Sequence, residues 1–386
     1  MLAAMLDPAL FAVHIFEKNA APARKFLVAG DGGLNLSHAE PVDDFISRYT
    51  PAEFIEPFIR KFDADSLRNW FDACGISTYV GSSLRIFPGR EIKPVEVLQA
   101  MLQRVQDRGV TMHLKHHWKG WKENELLFET ANESVCFAAD ITVLALGGAS
   151  WPVTGTDGAW TNILAGKGIS IRPFEASNCA VITDWPETFI NEHEGAVLKG
   201  VMLKCGNRAR KGDVVIKRNG MEGGPVYFLS PEIRSALKNH GEAMITADLQ
   251  PARETEEIKQ ALETTGRRSN SEILKRLGLG PVARGMLRQL VDRDTYDDPG
   301  KLAAAVKAFP FRIVALGPVE DAISTVGGIP TEEVDQNLEL KKLPGCFAMG
   351  EMLDWDAPTG GYLLQACFSM GYTLAAALNE RYAAGE

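Results

Sequence analysis

Near the C-terminus, a short apolar run, Cys346-Phe347-Ala348-Met349, passes into Gly350-Glu351-Met352-Leu353-Asp354-Trp355-Asp356 and then into Thr359-Gly360-Gly361-Tyr362, and this succession leaves the fold little freedom. The apolar run is bounded by Pro344-Gly345 and Gly350, the flanks and length of a buried strand, whereas residues 362–378 follow helical spacing. A strand, an acidic loop and a glycine-led helix therefore follow one another. A helix start presents unpaired backbone N–H groups and the positive end of its dipole, which favours an electron-rich ligand edge. Gly360 and Gly361 permit close approach to that start, because a side chain would stand in the way.

The run Gly350 to Gly371 resembles the closing motif of the BaiN-type and aminoacetone-oxidase-type flavoproteins, a branch of the glutathione-reductase-like FAD folds. The resemblance implies that Glu351 or Asp354 holds the ribityl chain, that Gly360, Gly361 and Tyr362 lie at the flavin, and that Gly350 and Leu363 are further cofactor contacts. A helix N-terminus aimed at the flavin pyrimidine edge would stabilise the negative charge of the reduced ring.

A second match lies upstream. The segment 11–16 reads as a buried strand ending in Glu17, the place where a dinucleotide fold carries a carboxylate for the adenosine ribose. Relatives carry a first strand and a G-x-G-x-x-G turn directly before this point, and here the sequence starts inside the following helix. The expectation is a truncated form whose native start lies further upstream; the competing expectation is a form lacking its pyrophosphate cradle. Either way, the sheet would expose unpaired edges.

Arg24 and Lys25 precede the glycine-rich Gly30-Asp31-Gly32-Gly33, followed by Asn35 and Leu36, and this resembles the family's second signature. The cations suit a pyrophosphate, and Gly30, Gly32 and Gly33 allow close backbone approach. Where relatives have a basic residue and a cysteine, this chain has Leu34, which leaves the substrate open. The apolar run 141–146 ending in Gly147 and Gly148 reads as a parallel strand buried on both faces, the third match. By resemblance, the backbone near Trp118 touches the adenine. Also by resemblance, 221–227 is a glycine-proline loop approaching the flavin, and the Thr325 to Gly328 step returns the chain to the cofactor domain.

With 386 residues, two domains are expected. The fold class is α/β: a discontinuous Rossmann-like FAD-binding domain, lacking its first strand and glycine turn, with an inserted mixed β and helical substrate domain. The expected divisions are residues 1–177 and 325–386 for the first domain and 178–324 for the second.

A net charge of −9 argues against general nucleic-acid or membrane-surface binding. Basic residues 208, 210, 211, 217 and 218 read as a solvated hairpin. No apolar stretch is long enough to span a bilayer, and a cytoplasmic location is expected. The six cysteines include no close pair, which disfavours a zinc site, a disulfide framework or thiol reductase chemistry. His113 and His117, taken as one strand, would lie ~13 Å apart, too far for one metal. Arg85 or Arg90 could face an anionic substrate.

These residues describe an FAD-dependent oxidoreductase acting on a small molecule, with no nameable catalytic acid or base beyond Tyr227 and Tyr362 as proton donors. No second nucleotide motif is evident, so NAD(P)H is expected at most as a transient electron donor. A cofactor-free remnant of the fold and a flavin-dependent nucleic-acid modifier are compatible alternatives. Substrate, acceptor and oligomeric state are not legible.

Overall fold

The computed structural model describes residues 1–30, 33–264 and 269–384. The described residues divide into two compact units, one formed by 1–175 with 324–386 and the other by 176–323.

In the first unit the parallel strands occur as two separate pairs. His14–Glu17 runs beside Thr111–Leu114, with Glu17 opposite Leu114, and Thr142–Leu144 runs beside Cys346–Ala348, with Leu144 opposite Ala348. Two expectations are corrected here. The strand ending in Glu17 is four residues long and only partly buried, with His14 exposed, and the apolar run after residue 140 contributes just three strand residues, of which Leu144 alone is buried. Each of these strands has one neighbour, so neither is enclosed as a central strand would be. The third correction concerns the histidines. Lys115 has φ 60° and breaks the strand, so His113 and His117 belong to different strands.

The helix Tyr362–Ala383 is the axis of this unit. Its buried residues include Tyr362, Gln365, Ala366, Ser369, Met370, Thr373 and Leu374, so it is covered on several faces and lacks a polar stripe over its first turns. Its polar residues are used internally: Gln365 Nε2 and Ser369 Oγ both donate to the carbonyl of Phe62, at 2.9 and 2.6 Å. That carbonyl belongs to the residue following the helix Ala52–Lys61, so the two helices are tied end to side. The stretch 41–75 forms the helices Val42–Ile46, Ala52–Lys61 and Ala64–Ala73, with Ile55, Phe58, Ile59, Leu67 and Phe71 in the core. A small antiparallel sheet, Ser37–His38, Arg85–Pro88 and Thr78–Val80, stands beside the start of the long helix.

The second unit is built on a seven-stranded antiparallel sheet. Strands Val197–Cys205, Arg208–Lys217, Ala243–Asp248 and Phe309–Ile313 alternate buried and less buried residues. Their inward residues, among them Leu203, Ile216, Ile245 and Phe311, form one core with Ile258, Ile273, Met286 and Leu302 of the helices. The 221–227 stretch is not a loop. Gly220–Glu222 is a strand and Gly224–Phe228 a helix, joined at Gly223, whose φ of 126° suits only glycine. The basic hairpin is partly neutralised: Arg208 pairs with Glu232, Lys217 with Glu222 and Arg218 with Glu194. Among the described residues no helix is long and apolar enough to cross a membrane.

Candidate functional site

The start of the long helix is held by a polar network that the sequence reading did not foresee. Tyr362 is anchored at both ends: its hydroxyl donates to Glu40 Oε1 at 2.5 Å, and its carbonyl accepts from Tyr49 Oη at 2.7 Å. Glu40, whose side chain is 7% exposed, also receives Arg48 Nη2 at 2.8 Å on Oε2 and Arg48 Nε at 3.3 Å on both oxygens. Burial works to raise the Glu40 pKa, and the bonds from Arg48 and Tyr362 outweigh it, so the carboxyl sits below its ordinary value. Burial and Glu40 together push the Tyr362 phenol well up. Tyr362 thus keeps its proton and gives that hydrogen to Glu40. His38 stacks on Tyr362 with ring centroids 5.2 Å apart, and its Nδ1 accepts the Glu40 N–H at 3.3 Å. Burial lowers the His38 pKa, favouring the neutral ring.

Gly360 and Gly361 have φ of 110° and 100°, left-handed values that open the helix. A Cβ on Gly361 would lie 2.7 Å from the backbone of Ser37, and one on Gly360 would lie 3.2 Å from Arg85 Nε. The glycines therefore let the helix start rest on the 37–38 strand. Two polar atoms in the same region are buried without a hydrogen-bond partner among the described residues: Ser37 Oγ, in a wholly buried residue, and Asn35 Oδ1. Asn35 Nδ2 donates to the Gly33 carbonyl at 3.2 Å, and Leu36 is wholly buried in the neighbouring core. Leu363 packs on the central core.

A second cluster surrounds Glu351. Its Oε2 accepts Lys25 Nζ at 3.0 Å, its Oε1 accepts the Thr325 N–H at 3.2 Å, and Lys25 also reaches Ser150 Oγ at 2.8 Å. A Cβ on Gly148 would overlap Thr325 Oγ1 and lie 3.2 Å from Glu351 Cδ, so the Gly147-Gly148 turn is in contact with this carboxylate. Gly147 itself, φ 75°, accepts the Trp160 indole N–H at 2.9 Å. Cys367 lies partly buried near Gly350, and burial, with Glu351 adding, pushes its thiol up to about 12. Asp354 is engaged differently. One oxygen accepts the Gly327 N–H at 2.8 Å and the other Arg172 Nη1 at 2.6 Å, so it braces the returning strand. Of the two carboxylates expected at the ribityl chain, Glu351 is therefore the one beside the glycine turn.

A third cluster lies at Glu17. Its Oε1 accepts the Asn19 N–H at 2.7 Å and Asn19 Nδ2 at 2.9 Å, and Lys18 pairs with Asp157 at 2.7 Å. The segment 150–157 links this cluster to that of Glu351, since Ser150 contacts Lys25 and the Thr154 carbonyl meets Asn19. Trp118, 8% exposed, stands edge-on to Trp121, and its indole N–H is buried without a partner among the described residues.

The expected pair of cations does not act together. Arg24 and Lys25 open the helix Arg24–Ala29, where Lys25 turns to Glu351 and Arg24 is exposed. Gly30 is packed on Pro94, Gly33 is exposed with φ 111°, and Gly32 lies outside the described residues. Arg90 lies over the Tyr79 ring at 5.6 Å. Tyr227, in the second unit, is raised to about 12 by burial, with Glu222 adding. No group of three or more His, Cys, Asp or Glu side chains among the described residues is placed to hold a metal ion.

Arg48 and Tyr49 lie within, and Glu40 just before, the stretch 41–75 that folds into core helices, and only folding brings the three to residue 362.

A Rossmann-type α/β framework with glycine turns against partly buried carboxylates belongs to a recognised class, and residues 1–377 match the model of the HI0933-like protein Rossmann domain. The chain belongs to the HI0933-like Rossmann family. It is 23% identical over 393 residues to the 3-dehydro-bile acid delta(4,6)-reductase of Clostridium scindens, covering 96% of this chain and 93% of that protein. Among solved structures, a quinol-fumarate reductase with menaquinol molecules is similar over 100% of this chain and 69% of its own, with a TM-score of 0.52 at 16% identity. A variant of E. coli quinol fumarate reductase gives 0.50 at 15% identity over the same shares. These likenesses establish a shared fold.

Proposed function

We propose that the chain is an FAD-dependent oxidoreductase acting on a small organic substrate. The observation that carries this is the continuity of two polar clusters, from Glu17 through 150–157 to Glu351 and Lys25, in the same unit as the Gly360-Gly361 helix start. An elongated dinucleotide needs such an arc of partners. The residues fit the group: Ser37 Oγ, Asn35 Oδ1 and the Trp118 indole N–H are buried polar atoms in want of a partner, and such atoms are costly unless something bonds them.

In this reading Glu17 would accept ribose hydroxyls, Glu351 oriented by Lys25 would accept ribityl hydroxyls, and the first-turn amides of the long helix would serve the pyrimidine edge. Glu40, Arg48 and Tyr49 fix Tyr362 and with it the direction of those amides. When bound, FAD would supply two-electron hydride chemistry. The two carboxylates and the lysine have no free role as acid or base, and Tyr362, whose hydrogen is held by Glu40, acts as a strut. NAD(P)H serves as a transient donor. The C. scindens relative is named for a 3-dehydro bile acid, so a conjugated cyclic ketone is the first substrate to offer.

The test is direct. The purified chain should be yellow or bind added FAD saturably, with flavin fluorescence quenched, and should then reduce or oxidise a conjugated ketone. A folded, colourless protein that refuses FAD in titration would overturn the reading in favour of a cofactor-free form.

A further inference from the structure

Among the described residues, one cation at the helix start has no anion. Arg85 lies opposite His38 in the small sheet, half-buried, and a Cβ on Gly360 would be 3.2 Å from its Nε and 3.8 Å from its Cζ and Nη2. Its guanidinium therefore lies along the Gly360 turn. Among the described residues it makes no hydrogen bond and no ion pair, in contrast to Arg48, which is held by Glu40, and Arg90, which rests on Tyr79. The adjoining residue Ile86 is opposite Ser37, whose buried hydroxyl also lacks a partner. A guanidinium with no partner among the described residues and the opening amides of a 22-residue helix meet around one turn, whereas the Ser37 side chain shares the Ile86 face of the sheet. Both the guanidinium and the amides favour negative charge or an acceptor edge. Placing a cation there unpaired is costly unless a ligand supplies the charge.

We propose that Arg85 reads the redox state of the bound flavin, by pairing with the negative charge that appears at the pyrimidine edge on two-electron reduction. This rests on the FAD reading above. A guanidinium suits the task because it stays charged, is planar, and matches an edge carrying adjacent acceptors. A hydride donor such as reduced nicotinamide, itself left oxidised, would deliver two electrons and one proton to N5, and the negative charge then left over the N1 and C2 carbonyl region is the one Arg85 would meet. Its effect is to hold the reduced form more tightly than the oxidised one.

The probe is sulfite, whose sulfur lone pair forms a bond to flavin N5 and leaves the same negative charge at the pyrimidine edge, with bleaching of the visible bands. FAD-loaded wild type, R85Q, R85K and R90Q are titrated with sulfite, and their potentials are measured against a reference dye. R85Q is expected to bind FAD normally and to bind sulfite about tenfold more weakly, the size of one hydrogen bond to a charged group. The same factor corresponds to a potential lower by about 30 mV for a two-electron couple. R85K, charged but without the fork, should fall about threefold below wild type, and this difference decides the matter should R85Q not fold. R90Q should match wild type. Retention of both properties within about twofold in FAD-loaded R85Q overturns the proposal, and so does an equal loss in R90Q. R85Q that keeps sulfite affinity but loses competition by a small carboxylate would make Arg85 a substrate ligand instead. A wild-type chain that takes up no FAD fails at the cofactor itself, a distinct result that ends both readings.

Discussion

Glu40 shows how a single carboxylate can govern a helix start. It holds Arg48 on one side and the Tyr362 hydroxyl on the other with almost no exposure of its own, so E40Q leaves a buried phenol and a partly exposed guanidinium poorly matched. The variant should lose about 1–3 kcal/mol of stability at neutral pH, measured by denaturant unfolding. The pH dependence follows from the direction of its shift. A carboxyl held below its ordinary 4.5 when folded contributes stability that is present above that value and lost as pH falls through the folded one. The gap between wild type and E40Q should therefore be constant from pH 7 to about 5 and close below about 4.5. At the same scale, burial pushes the Cys346 and Cys367 thiols to about 12, with Glu339 and Glu351 respectively adding. Neither should be alkylated by iodoacetamide in the native protein at pH 8, and mass spectrometry before and after unfolding checks this.

Two elements respond to substitution in opposite measure. G361A forces a Cβ into the backbone of Ser37 at a left-handed φ, and with backbone on the other side nothing flexible can yield. A loss of roughly 3 kcal/mol or more is expected, with weakened FAD uptake. G75A, also at positive φ but with nothing within 4 Å, should cost only about 1 kcal/mol. Comparing their melting temperatures separates steric conflict from backbone strain. The strand pair His14–Glu17 and Thr111–Leu114 carries a different liability. His14 Nδ1 lies 3.0 Å from His113 Nε2, and Phe16 is stacked between His113 and Phe128. Burial, with His14 and His116 adding, holds the His113 pKa below 6.5. A histidine depressed in the folded state binds its proton more readily when unfolded, so acid below about pH 6.5 should destabilise the protein. H113F, which keeps the stack, should flatten that dependence in melts between pH 7.5 and 5.5.

On the scale of the molecule, the 176–323 unit has a continuous core of its own, from Val181 through Ile313. Expressed alone, it should unfold cooperatively by circular dichroism; a gradual, non-cooperative melt would contradict that independence. The FAD-binding reading belongs to the other unit, which the chain leaves at 175 and rejoins at 324. The polar clusters argued above to line a dinucleotide lie entirely within it, and FAD titration of the whole chain tests that assignment.

Much of the long helix was legible because its information is local: the Gly-Gly start, the helical spacing after Tyr362 and the buried 346–348 strand are written in consecutive residues. The helix Pro94–Asp107 is local in the same way, with proline at its first position and Glu96 closing back on the Lys93 N–H. Strand enclosure was not legible, because it depends on how many neighbours a strand finds, and residues 141–150 look identical beside one partner or two. The roles of Glu351 and Asp354 could not be separated by sequence either, since both are carboxylates on one loop. Only the fold turned one to Lys25 and the other to Arg172 and Gly327. By itself, then, the sequence determined where backbone would be helical, extended or glycine-opened, and which family motifs it carried. The pairing of Glu40 with Tyr362, 322 positions apart, and the position of Arg85 along the Gly360 turn were decided by tertiary structure alone, because a contact depends on distance in space.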